Sequence, residues 1–264
     1  MSESGSGADL EIGRWQSSAM KVGRPLVQAF WRLRVTGLDH LPESGPAILC
    51  PNHISFFDST LLTFTVPRNI SFVGKAEYMD SWKTRHVLPA LGMIPIDREG
   101  GGKSDAALEA AVEVLEGGEL FGIYPEGTRS RDGRLFKGRT GAARLAMRTG
   151  VPVFPVGITG TDAIQPPGAR VPIPGKSCRI EIGRPISPER YANRSAEHLA
   201  WRSMTDEIMF EIGEMTGQEY VHQYAGRQTS TPIASVTDIH VHSSVDGHDE
   251  RRAHEQRMVA SAGS

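Results

Sequence analysis

Apolar runs of four to seven residues recur along the first two thirds of the chain, separated by longer amphipathic stretches. The runs at 32–36, 46–50, 70–73, 93–96, 119–124, 152–158 and 178–183 have the length and β-branched content of strands. Between them, residues 58–66, 82–91, 103–117 and 139–149 show helical spacing of apolar positions. Such alternation predicts an α/β fold with a mainly parallel central sheet flanked by helices. Gly150 stands where a left-handed residue would end the fourth helix, and Ser187-Pro188 opens a short helix or turn. A late helix over 195–222 carries Trp201, Met204, Ile208, Ile212 and Met215 on one stripe, which predicts packing against the sheet. The strand at 151–158 is spaced by prolines and is expected near a sheet edge.

The ends read differently. Residues 1–13 are rich in Ser and Gly and are expected to be mobile. Their lack of a basic start and an apolar core does not fit a secretory signal. Residues 14–34 carry Arg14, Lys21, Arg24, Arg32 and Arg34, no acid, and Trp15, Val22, Leu26, Phe30 and Trp31 at roughly helical spacing. This predicts a basic amphipathic helical segment associating with a membrane, although Gly23 and Pro25 argue against one continuous helix. Residues 225–264 are polar and read as a disordered tail, with the folded domain over 28–222. The tail histidines His240, His242, His248 and His254 lack the cysteines or frame of a metal site.

Composition narrows the field. With 264 residues, 39% hydrophobic, the chain can bury a sizeable core, yet no apolar stretch approaches the ~18 residues of a membrane span. A net charge of -2 gives no global pull toward nucleic acid. Cys50 and Cys178 lie in strand-like runs and are expected as buried free thiols.

Chemistry concentrates at strand ends. His53 and Asp58 follow the run Ala47–Cys50. Five positions on a helix leave two side chains about 140° apart. They can therefore meet only if His53 lies in a turn and Asp58 at the start of the next helix. Such a pair could be a general base and its orienter, or a helix cap beside a loop histidine. Glu126-Gly127-Thr128-Arg129 follows the run Leu120–Ile123, where open α/β sheets bind ligands. Gly admits close backbone approach and Arg suits phosphate. Arg98 closes the run 93–96. The segment 97–104 looks like a phosphate-binding loop, but Asp97 stands where that motif needs Gly, which argues against a nucleotide hydrolase.

Four segments together resemble the glycerolipid acyltransferase family, whose best-known members acylate lysophosphatidic acid. Asn52-His53 through Asp58 matches its NHxxxxD block, and the run ending in Arg98 its second block. Glu126 through Arg129 matches its EGTR block, and Val151 through Val156 its proline-spaced strand. Val35–Gly37 and Leu41–Pro46 look like its lead-in, and the likeness spans about residues 28–186.

The resemblance implies acyl transfer from a thioester, acyl-coenzyme A or acyl carrier protein, to a lipid hydroxyl. It implies no further cofactor and no metal. His53 is then the general base and Asp58 its orienter. Arg129 is the first choice for the acceptor phosphate, with Arg98 and Lys75 next. Glu126 would orient Arg129 or the acceptor, and backbone amides near Gly127 and Thr128 would serve the oxyanion. The preferred acceptor is 1-acylglycerol-3-phosphate, with glycerol-3-phosphate or another lysophospholipid or glycolipid as alternatives. A non-enzymatic lipid-binding protein is the reading from a different class. The implied location is peripheral, on the cytoplasmic face of a membrane.

Overall fold

A computed structural model describes residues 6–75, 88, 91–96, 103–169, 171–192 and 196–226. The seven predicted strands form one sheet: β1 (Arg32–Thr36), β2 (Ala47–Pro51), β3 (Ile70–Lys75), β4 (Met93–Ile96), β5 (Leu120–Gly122), β7 (Val153–Thr159) and β8 (Ser177–Ile182). Their order is β1-β8-β7-β2-β5-β3-β4. All neighbours are parallel except β7 and β8. Five strands thus end on the same edge, and the segments after β2, β3, β4 and β5 all leave from it.

Helices cover both faces. β2 is buried at every position because alternate residues face opposite layers. Ile48 and Cys50 join one apolar layer with α3 (Lys103–Glu116), α4 (Gly141–Thr149) and α6 (Glu197–Thr216). Ala47 and Leu49 join the other, with α1 (Ser6–Phe30), α2 (Phe57–Thr65) and the short α5 (Thr161–Ile164). Gly150 ends α4 at φ 73°, as its position predicts. Cys50 and Cys178 are buried free thiols in opposite layers, and burial pushes the Cys178 thiol up to about 12.

Several expectations need correction. α1 begins at Ser6, inside the segment expected to be mobile, and continues through Gly23 and Pro25. Its tertiary contacts outweigh the proline penalty. Gln16 donates to the Ile70 carbonyl at 2.8 Å, Arg24 donates to the Val66 carbonyl, and Met20 and Val27 are buried. Gly23 lies so close to Phe64 that a Cβ would stand 2.2 Å from that ring.

The proline-spaced strand β7 is not near an edge but lies between β8 and β2. Its Pro155 lacks an N–H, yet the ladder loses little. Pro155 falls between the Val153–Ile186 bridge and the Val156–Ile182 pair, where the partner strand bulges and Gly183 donates to the Pro155 carbonyl. The domain also runs past 222. Tyr220–Val221 (β9) pairs with Leu135–Phe136 (β6), and Ala225 is buried. The rest of the expected tail, with its four histidines, and most of the predicted helix over 82–91 lie outside the described residues.

Candidate active site

The two central strands β2 and β5 deliver the two motifs side by side. Asn52 leaves β2 with its side chain fixed at full burial. Its Oδ1 accepts from Ile158 N–H at 2.7 Å, and its Nδ2 donates to the Ile158 carbonyl and Gln218 Oε1, both at 2.9 Å. This clamp sets where His53 emerges. The segment after β5 then straddles His53. Glu126 Oε1 accepts the His53 N–H at 3.0 Å, and Ser130 N–H donates to the His53 carbonyl at 2.7 Å. Blocks 73 residues apart are thereby joined through one residue's backbone.

His53 lies in the loop and Asp58 is the second residue of α2, the arrangement their spacing requires. His53 Nδ1 and Asp58 Oδ2 are 2.9 Å apart. An ionised carboxylate only accepts, so Nδ1 carries the proton and Nε2 is left as an acceptor. The same Oδ2 accepts the N–H groups of Ile54 and Ser55, each at 2.9 Å. The N-cap of α2 is Phe56, which gives no side-chain cap, and the Ser55 hydroxyl before it accepts from Phe57 N–H at 3.3 Å. Asp58 is fully buried, while the His53 side chain keeps 17% exposure. The imidazole stacks on Tyr124 with centroids 3.8 Å apart. Tyr124 is itself held by a 2.6 Å hydrogen bond with Ser59. Burial, aided by the Asp58 charge, raises the Tyr124 phenol well above its ordinary value, so it stays protonated.

Glu126 takes a different place from the expected one. It is fully buried and does not orient Arg129. Its Oε2 accepts Phe136 N–H at 3.0 Å, so both oxygens hold backbone, one at His53 and one in β6. Burial pushes its carboxyl up to about 7, and the Phe136 and His53 N–H groups restrain that rise. Gly127 adopts φ 73°, and its N–H donates to the Tyr124 carbonyl at 3.1 Å, which removes it as an oxyanion donor. Thr128 and Arg129 are exposed beside it. The Arg129 guanidinium lies 5.8 Å from the Phe56 ring centroid, at the start of α2. Lys75 ends β3 on the same sheet edge, with its side chain outside the described part, and Arg98 lies outside the described residues. Gln218 and the Phe136 N–H escaped the sequence reading, for no spacing marks them, and the stacking of Tyr124 on His53 could not be read from its place beside Glu126.

Comparison with known proteins places the chain beside characterised acyltransferases. A sequence model of the family described as Acyltransferase matches residues 32–159. The chain is 31% identical over 161 residues to the chloroplastic 1-acyl-sn-glycerol-3-phosphate acyltransferase of Arabidopsis thaliana, covering 61% of this chain and 45% of that one. It is 30% identical over 133 residues to a 1-acyl-sn-glycerol-3-phosphate acyltransferase of Borreliella burgdorferi, covering 50% and 52%. The chain thus spans about half the length of the curated relatives it matches. The crystal structure of the 1-acyl-sn-glycerophosphate acyltransferase PlsC from Thermotoga maritima superposes with TM-score 0.58 at 26% identity, covering 77% of this chain and 78% of that one. The chain's mainly parallel α/β sheet, the motif blocks meeting at His53 and these likenesses concur in supporting a place among acyltransferases similar to the 1-acyl-sn-glycerol-3-phosphate enzymes.

Proposed function

We propose that this protein is an enzyme that moves a fatty acyl group from a thioester to the hydroxyl of 1-acylglycerol-3-phosphate, giving phosphatidic acid. The observation that carries the reading is the 2.9 Å His53–Asp58 contact, with the Glu126–Ser130 segment bonded to both sides of the His53 backbone. Lipid binding alone has no need of such a pair. In the proposed step His53 Nε2 takes the acceptor's hydroxyl proton as its oxygen bonds to the thioester carbonyl carbon. The developing imidazolium is stabilised by Asp58. Collapse of the tetrahedral intermediate breaks the C–S bond, and the thiolate leaves and can regain the proton from His53. Neither cysteine is placed to form an acyl-enzyme, both being buried. Arg129 grips the acceptor phosphate. The donor is acyl-coenzyme A or acyl carrier protein, and no further cofactor takes part.

We also propose that α1 holds the protein on the cytoplasmic face of a membrane. Val22, Leu26 and Phe30, four residues apart, are 67%, 52% and 52% exposed, beside exposed Lys21. Among the described residues no helix is long and apolar enough to cross a membrane. Replacing these three side chains by serine should abolish flotation with anionic liposomes, and undiminished flotation would remove α1 from this role. The activity itself is tested with purified full chain, both donor types and acceptors that include glycerol-3-phosphate, followed by mass analysis of the product. Full activity in His53→Ala would overturn the mechanism.

A further inference from the structure

Beyond Arg129, a second group of cations gathers beside the catalytic loops. Lys137 and Arg139 follow β6. Lys137 N–H donates to the Val221 and Gln223 carbonyls at 3.1 and 3.0 Å, and Arg139 N–H donates to the Pro125 carbonyl at 2.7 Å. Their charged heads converge on one ring: Lys137 Nζ is 5.6 Å and Arg139 Cζ 5.3 Å from the centroid of Tyr224. His222 Nε2 stands 3.3 Å from Lys137 Nζ. Three of the nearby acids are already committed. Asp132 pairs with Arg134 at 2.6 Å, Asp206 pairs with Arg202 at 2.5 Å, and Glu126 is spent on backbone N–H groups. Among the described residues, neither Lys137 nor Arg139 has an acid partner. Two like charges drawn to one ring repel, and the ring's quadrupole offsets only part of that. A bound anion would remove the repulsion.

The position is tied to the catalytic loop yet differs from that of Arg129. The Arg139 stem crosses Gly127, where a Cβ would come within 2.9 Å of its Nε, whereas Arg129 lies against Phe56. A transfer between two phosphorylated substrates needs two anion grips, and the chain offers Arg129 on the Phe56 ring and the Lys137–Arg139 pair on the Tyr224 ring. We infer that Lys137, Arg139 and Tyr224 form a second anion site, which takes the phosphate end of the phosphopantetheine arm of the acyl donor. The inference rests on the acyl-transfer reading. The same phosphate chemistry belongs to coenzyme A and to an acyl carrier protein.

The test compares the full chain with Lys137→Gln/Arg139→Gln and with Lys137→Glu, using acyl-coenzyme A, acyl carrier protein and S-acylpantetheine, which has no phosphate. The expected result is a donor KM raised about tenfold or more for a phosphorylated donor, with the acceptor KM and the S-acylpantetheine KM unchanged. A rise for only one of the two phosphorylated donors supports the site and identifies its source. Unchanged donor KM values, an equal rise for S-acylpantetheine, or a rise in acceptor KM would overturn it. Titration of coenzyme A and of holo carrier protein separates the two readings. Binding weakened in the variants, in a protein that transfers no acyl group, sinks the acyltransferase reading and keeps the anion site. Equal binding by wild type and variants sinks the site.

Discussion

Replacing Asp58 by Asn tests the base–orienter pair with the least structural damage. Asp58 Oδ2 accepts three hydrogen bonds of 2.9 Å, from His53 Nδ1 and from the N–H groups of Ile54 and Ser55. Asp58→Ala would strand these donors at a fully buried position and cost on the order of 2–4 kcal/mol, so lost activity could reflect a loosened loop. The amide oxygen of Asn can still accept all three. What Asn lacks is the charge that would face the imidazolium formed in the proposed proton transfer to His53. At 2.9 Å, with an effective dielectric constant of about 20 and between half and all of the positive charge on Nδ1, that charge contributes roughly 3–6 kcal/mol. Asp58→Asn should therefore lower kcat by about 10²- to 10⁴-fold. The new amide nitrogen replaces Oδ1, which is buried without a partner among the described residues, so a stability loss of about 1–2 kcal/mol is expected as well. Product formation under saturating substrates, alongside urea unfolding, measures both. A folded Asp58→Asn protein retaining more than about a tenth of wild-type kcat would refute the argument.

Glu126 should make the fold sensitive to pH. Its folded value of about 7 lies above the ordinary 4.5, so the folded chain keeps a proton that the unfolded chain releases between those values. That contribution is complete below about pH 4.5 and is lost as pH rises through about 7, a change of up to about 3 kcal/mol. Urea midpoints should thus fall from about pH 5 to about pH 8, and Glu126→Gln should flatten this slope; a wild-type–variant difference that is constant with pH would contradict it. Arg129→Ala should raise the acceptor KM about tenfold and largely preserve kcat, because the side chain is exposed and removed from the proton transfer. A loss confined to kcat would exclude the phosphate role. Gly127→Ala should cost about 1–2 kcal/mol in unfolding experiments, for φ 73° strains a Cβ that also meets Arg139, and an unaltered stability would count against that conformation.

The central strands were legible because they are buried on both faces and so leave unbroken apolar runs, as in β2 and β7, whereas β1 and β8 alternate with exposed positions. The continuity of α1 was not legible. Its local sequence, with Gly23 and Pro25, opposes a helix. The contacts that overrule this come from Phe64, Val66 and Ile70, which no periodicity within α1 can reveal. β6 and β9 are two residues each, too short to leave a period. His53 and Asp58 could be paired from spacing because a loop and a helix start bring them together locally. Glu126 could not be placed the same way. A glutamate at a strand end suggests a ligand or an ion pair, whereas its partners are two backbone N–H groups, at His53 and Phe136, that every sequence contains and none marks. This difference explains how the site is built. Side-chain chemistry within one block pairs His53 with Asp58, and Glu126 and Ser130 fix His53 against the other block through the backbone. On the proposed mechanism the EGTR block has two tasks that a mutation series can separate. Glu126 should govern stability and the placement of His53, and Arg129 the hold on the acceptor. A Glu126→Gln variant that bound the acceptor poorly but kept full kcat would reverse that assignment.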